Sequence, residues 1–445
     1  MHHVSSFLSI QADPVDQPAA TDPVERRTWC ALRVRIAGRV VTRIWDRTLD
    51  DERSLLYVPA FPIAEWLVNN WWALLNEPCR TERVAKASSV GTQFCWIKRH
   101  CLRSAEAGML LPALYLYNAG RGIRAEWQAD QPGELPNMPG EFIDSGCALL
   151  PQEAVEDALA GFVNDTLDRV RTLNDQRVEE LATNWQAIRQ CGIEEARFCT
   201  AAGRLGLDPY DPSQVNDDLA AFIEHSLGDP DLPVARDLTE VAEAGRIAEQ
   251  WSWIQDARRR LNLGPGTSRV PFRDNPADDT AAKRGYRLAQ ELRIAAGIGQ
   301  ESPIHSLEKL VERVAEIVVQ MEPQNHVPGQ GIRSVVGWSN PKTAVVAGPC
   351  PARKDNARFQ LARAVHHLLF SCQKGERLVT DAYTWDQQAS RAFAAELLAP
   401  QKALEKRTAG WADRCRVQEL ADEFKVSTVV IEKQLENAGI ELVEE

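Results

Sequence analysis

From Trp29 the stretch WCALRVRIAGRVVTRIW alternates apolar and polar residues on either side of Ala37-Gly38, which predicts two strands joined by a tight turn. Residues 57–76, YVPAFPIAEWLVNNWWALLN, shift to helical spacing, with Ile63, Trp66, Leu67, Trp71 and Leu74 on or near one face of a buried amphipathic helix. Strand-like runs follow at 110–117, 123–128 and 142–149, with the turn-rich QPGELPNMPG at 131–140 between the last two. Residues 25–150 are therefore expected to form a Trp-rich α/β or α+β domain. From Pro151 the apolar residues fall three or four apart in EAVEDALAGFVNDTLDRVRTL, VEELATNWQAIRQC and EEARFCTAAGRLGLDPY, which predicts a helical region over 151–263. Gly206 and Pro209 close one of these helices, because glycine suits a helix C-terminus and proline cannot continue it. Pro-, Gly- and polar-rich text at 264–279 predicts a linker. The Pro-rich residues 1–24 are expected to be a disordered leader.

Beyond the linker, two helical stretches, strands in IRSVVGW and KTAVVAG, and a further helix in RFQLARAVHHLLF (358–370) succeed one another. The stretch WDQQASRAFAAELLAP (385–400) comes next. The tail VQELADEFKVSTVVIEKQLENAGI (417–440) reads as two short helices about a turn, with Ser427 as N-cap. The fold class expected is α+β and multidomain.

Composition narrows the function classes. The chain has 445 residues and a formal charge of -12, a sign that opposes non-specific attraction to nucleic acid phosphates. Arg258, Arg259 and Arg260 form the densest basic run and read as a solvated helix end. Ten cysteines without a CxxC pair argue against a zinc ribbon or a disulfide framework. The N-terminus has no secretory pattern and no apolar run reaches membrane-spanning length, so a cytoplasmic location and no membrane partner are expected. Neither a phosphate-binding GxxxxGK[ST] nor a GxGxxG after a strand is present. The tryptophans of the 57–76 helix could stack nucleobases, but core packing is the simpler use.

The order helix, helix, strands, helix over 280–445, with RFQLARAVHHLLF, RAFAAELLAP and the tail, resembles the ImmA/IrrE-type metallopeptidase family. The resemblance implies a zincin-like peptidase domain with a helix-turn-helix-like tail over 417–440. It also implies a cytoplasmic bacterial or phage-related protein tied to regulator cleavage in stress response and mobile-element control. In that family the first helix carries His-Glu-x-x-His: histidines four apart share one zinc and the glutamate activates the metal-bound water. The family frame places Arg363 at the first histidine, Ala364 at the glutamate and His367 at the second histidine. Counting back from Phe393 puts the third ligand at Gln387, or at Asp386 with a shift of one residue.

A guanidinium has no lone pair for a metal and alanine accepts no proton, so no cofactor is expected. His366 does not rescue the site, since adjacent helical residues point about 100° apart. The function expected is that of a catalytically inactive pseudopeptidase that binds a protein regulator. Arg363 is either a solvent-facing charge or a cation in the vacated metal position, paired with Asp386 or Glu396. Two rivals stand beside this reading. One is a zinc peptidase with unconventional ligands His366, His367 and Asp386; the other is a DNA-binding regulator acting through 417–440 or the basic run at 258. Glu432 and Glu436 in the second tail helix disfavour entry into a DNA groove.

Overall fold

The computed structural model describes residues 7–443 apart from 17, 80–91, 132, 135, 136, 228, 265, 267–279, 325–328, 350, 372–374 and 409. The protein is α+β, as expected, and its contacts divide it into two compact units, Met1–Gly228 and Asp229–Glu445. The division falls inside the stretch read from sequence as one helical region.

In the first unit the expected disordered leader is corrected. Strand β1 (Leu8–Pro14) pairs antiparallel with β2 (Trp29–Ile36) from Leu8↔Ile36 to Pro14↔Cys30, and α1 (Pro23–Thr28) is capped by the Asp22 carboxylate, which accepts from the Val24 and Glu25 amides. The pairing wins because β2 buries Cys30, Leu32, Val34 and Ile36 on one face and needs neighbours for its backbone polar groups. The expected hairpin forms: β2 turns at Ala37-Gly38 into β3 (Arg39–Val40), and β2 also pairs with β6 (Leu56–Pro59). A second sheet has the order β5-β4-β9, from β4 (Ile44–Asp46), β5 (Asp51–Arg53) and β9 (Gly140–Phe142). A third is β10-β8-β7, from β7 (Ala113–Asn118), β8 (Ile123–Gln128) and β10 (Gly146–Leu150).

The single helix expected over 57–76 is instead strand β6 followed by α2 (Phe61–Asn69) and α3 (Trp71–Asn76). The break falls at Asn70, whose amide side chain donates to Trp66 O. Trp71 is buried edge-on against Trp185, and Trp66 donates its indole N–H to Lys98 O in α4 (Thr92–His100), so both serve the core. The middle helices are α5 (Gln152–Val170), α6 (Gln176–Gln190), α7 (Ile193–Arg204) and the short α8 (Asp217–Phe222). Gly206 after α7 has φ +75°, and a Cβ there would lie 2.3 Å from a Glu77 oxygen, so its glycine serves both the helix end and a close approach.

The second unit begins with α9 (Pro233–Thr239) and α10 (Ile247–Leu261). Of the expected linker, Gly264 and Gly266 lie among the described residues, and the remainder lies outside them. Gly264 exchanges backbone hydrogen bonds with Trp338, and a Cβ on Gly266 would meet the Trp338 ring at 2.1 Å. After these come α11 (Ala281–Ala295), α12 (Leu307–Ala315), β11 (Val318–Pro323), β12 (Ile332–Asn340), β13 (Thr343–Gly348), α13 (Lys354–Phe370), β14 (Arg377–Thr380) and α14 (Trp385–Leu398). The sheet order is β11-β13-β12-β14, with β11 parallel to β13 and the other pairs antiparallel.

Helix α13 packs on this sheet and on α14, and every residue from Gln360 to Leu369 is buried. The C-terminal part holds α15 (Gln401–Thr408), α16 (Arg414–Phe424) and α17 (Thr428–Asn437), with β15 (Trp411–Ala412) beside β16 (Glu441–Leu442). Ser427 stands at the N-cap of α17 as expected, but its side chain makes no capping bond. Gln434 of α17 is buried and donates to Glu396 and Ala399 O, which fixes the tail to α14.

Candidate functional site

Helix α13 buries polar residues in mid-helix, where an amphipathic helix would carry only apolar ones, and α14 and β14 supply the partners of Arg363. Both expectations for Arg363 are corrected: it neither faces solvent nor pairs with Asp386 or Glu396. It is 5% exposed, and it donates through Nε to Ser390 Oγ (3.1 Å) and through Nη2 to Thr380 O (2.7 Å) and Gln387 Oε1 (2.9 Å). All three acceptors are uncharged. Burial pushes the Arg363 pKa well down, Arg391 and Arg333 add repulsion, and Asp381 opposes them. Guanidinium basicity is high enough that the cation persists and needs these acceptors.

Gln387 is the organiser of this centre. Its Oε1 also accepts from Thr380 N (3.1 Å), while its Nε2 donates to Leu378 O (2.8 Å) and, at 3.4 Å, to Asp237. The two neighbours Gln387 and Asp386 face different partners. Gln387 turns inward to Arg363, and Asp386 turns to Arg377 (3.1 Å) with a third of its side chain exposed. Glu396 accepts from Gln290, Gln434 and the Gln401 amide instead of Arg363.

Ala364 is fully buried and packs in the core. His366 and His367 are also buried, and none of their four ring nitrogens has a hydrogen-bond partner. The His366 ring packs at 5.5 Å from Phe370 and 5.4 Å from Phe393. Burial lowers the His366 pKa to about 3; Arg284, Arg377 and Arg363 act in the same direction, and Asp386 opposes them. Burial likewise holds His367 well below the usual histidine range, with Arg377, His366 and Arg363 reinforcing it and Gln387 working the other way. Both rings are neutral at physiological pH.

These residues do not fit a zinc ion. Arg363 brings a buried positive charge to the position where a ligand would be needed, and Ala364 offers no base. Among the described residues no group of three or more His, Cys, Asp or Glu side chains could hold a metal. The ligand candidates His366, His367 and Asp386 form no such group, and Asp386 is engaged by Arg377.

Sequence reasoning missed α9. Asp237, 1% exposed, takes Arg377 through two hydrogen bonds of 2.7 and 2.9 Å and accepts from Leu378 N (2.9 Å) on β14. Glu240 accepts from Thr384 Oγ1 (2.8 Å), and Arg258 pairs with Glu376 (2.9 Å). The run Arg258–Arg260 stands in the last turn of α10 with Arg259 and Arg260 exposed, as expected, while Arg258 also ties α10 to Glu376 and Arg260 reaches Gln324. An Asp within a short proline-started helix carries no pattern that announces such a partner. The described cysteines are all free.

No family model matches the chain, and neither curated proteins nor solved structures yield a match. No helix among the described residues is long and apolar enough to cross a membrane.

Proposed function

We propose that the C-terminal unit is a zincin-like body of the ImmA/IrrE type that has exchanged its metal for an arginine-centred hydrogen-bond network. It acts as a cytoplasmic pseudopeptidase, holding a protein regulator without cutting it. The observation that carries this reading is the convergence of Arg363 and Gln387, two positions that the family frame assigns to metal ligands, at 2.9 Å in the buried interior. A buried cation at that point opposes a second cation by Coulomb repulsion. The cover of α9 over β14 adds to it, because Asp237 already uses the Leu378 amide that an extended substrate would seek. The tail is a helix-turn-helix-like support in this reading. Its Gln434 faces inward, and its Lys433 is paired with Glu436 (2.8 Å) and not presented to a phosphate.

The test is metal analysis of protein purified without chelator, alongside a proteolysis assay on unfolded protein substrates. Far less than one zinc per chain and no chelator-sensitive cleavage are expected. Stoichiometric zinc with cleavage abolished by chelator would establish the peptidase alternative. A reconstruction tests the frame itself: Arg363→His, Ala364→Glu and Gln387→Glu together restore the family's donor set, and zinc should raise the melting temperature of this variant alone.

A further inference from the structure

On a different side of α13 from Arg363, at its N-terminal end, a cavity of about 820 Å³ opens among α12, β11, α13, α16 and the start of α17. That volume is within the range of about 300–1,000 Å³ typical of small-ligand sites. Its walls are largely apolar: Leu307, Leu361, Ala421 and Val426 are buried side chains, and Met321, 41% exposed, forms an adaptable lip.

The charge around this apolar space is uneven. Arg353 is matched by Asp355 (2.6 Å), and Arg358 donates to the carbonyls of Ile304 and His305. Glu308, which accepts from the Ser306 hydroxyl, and Asp422, which accepts from the Gln418 amide, also line the space, so its four basic side chains outnumber its three acidic ones by one. Lys354 and Lys425 line the same space, and among the described residues neither has an acidic partner within 4.0 Å. Three helices, α12, α13 and α17, begin at residues that line the cavity, and the last two lack a side-chain cap. Their positive ends add to the field of the two lysines.

We infer that this cavity binds a single-chain amphiphilic anion, an alkyl chain ending in one carboxylate or phosphate. The chain lies against Leu307, Leu361, Ala421 and Val426, and the anionic end meets Lys354 and Lys425. This site is independent of the pseudopeptidase reading, since it uses none of the residues around Arg363.

Calorimetric titration of the full chain with decanoate, decyl phosphate, decanol and decyltrimethylammonium tests it. Saturable binding of decanoate or decyl phosphate is expected, weakening as salt rises; the stronger of the two identifies the head group. Decanol and the cation should bind at least tenfold more weakly. The variant Lys354→Gln with Lys425→Asn should lose about tenfold in affinity with an unchanged circular dichroism spectrum; asparagine suits the positive φ of residue 425. The exposed lip variant Met321→Glu gives a second route, repelling the anion without touching the core. Equal affinity for decanol and decanoate, full affinity in both variants, or binding of hexaglutamate in place of the alkyl anions would overturn the inference. So would the absence of any saturable decanoate binding.

Discussion

In the first unit the buried carboxylate of Glu77 meets an arginine and a histidine, whereas in the second the buried Arg363 meets only neutral oxygens. Glu77 takes Arg99 through bonds of 2.8 and 2.6 Å and His100 at 2.9 Å, and the other His100 nitrogen faces Leu116 O at 2.6 Å. Burial alone would raise the Glu77 pKa, but the His100 and Arg99 interactions hold it below the usual carboxylate range. Trp96 stacks on His100 at 4.4 Å and shields the pair. Among the described residues no carboxylate is hydrogen-bonded to Arg363, and the ring nitrogens of the two neutral histidines beside it have no hydrogen-bond partner. A charge matched by charge depends strongly on each member; a charge surrounded by dipoles spreads its dependence over several weaker bonds.

The largest expected effect follows from that difference. Replacing Glu77 by Leu strands His100 and Arg99, and a loss of about 3–5 kcal/mol is expected, read as a large fall in the melting temperature. An effect below about 1 kcal/mol would show that the pair is not the support described. Arg363→Met is expected to be milder, about 1–3 kcal/mol, because it removes one donor each from Ser390, Gln387 and Thr380 O but strands no charge. If Arg363→Met cost more than Glu77→Leu, the contrast would be reversed.

Acid sharpens the comparison through the histidines. His366 has its folded pKa lowered to about 3 from 6.5, so the unfolded chain takes up a proton that the folded chain refuses. Stability from this residue is complete above about pH 6.5 and is lost progressively as pH falls toward 3. Between pH 7 and 5 the loss is about 2 kcal/mol, from roughly 1.5 pH units at 1.36 kcal/mol each. Denaturation at both pH values should give a loss about 2 kcal/mol smaller in His366→Phe than in the parent chain. Equal losses would show that His366 accepts a proton in place.

The smallest effect expected is a gain. At pH 7 His366→Phe removes two unpartnered nitrogens from an aromatic contact with Phe370 and Phe393, and should stabilise by about 1 kcal/mol. A destabilised variant would indicate that the nitrogens contribute through a bond that the static structure does not contain.

Much of the scaffold was legible in the chain. The strand at 123–128 and the helices α5, α6 and α7 follow from periods of two and about 3.6, because burying one face selects the element that presents it; α13 shows the helical period too, while α14 was expected through the family resemblance. The positions that meet near Arg363 were legible only through the family frame, and their chemistry there only in part. That Arg363 cannot bind metal follows from its side chain alone. That it is buried against Ser390, Thr380 O and Gln387 depends on residues 17 to 27 positions away, which no local pattern encodes. Strand β1 escaped notice because LSIQADP is short and polar in composition, and its place depends on the unpaired edge of β2.

The sequence by itself determined that the third of the chain from about 280 lacks a zinc-binding His-Glu-x-x-His, since residue chemistry at Arg363 and Ala364 excludes it in any fold. Only the tertiary structure decided what stands there instead. An ion pair with Asp386 or Glu396 was compatible with the chain, but helix geometry turns Asp386 outward to Arg377 and puts Glu396 among amide donors. The reach of Asp237 to Arg377 across 140 positions was decided the same way. Long-range packing chooses partners by which faces meet, and that choice is made by the whole core, not by neighbours in sequence.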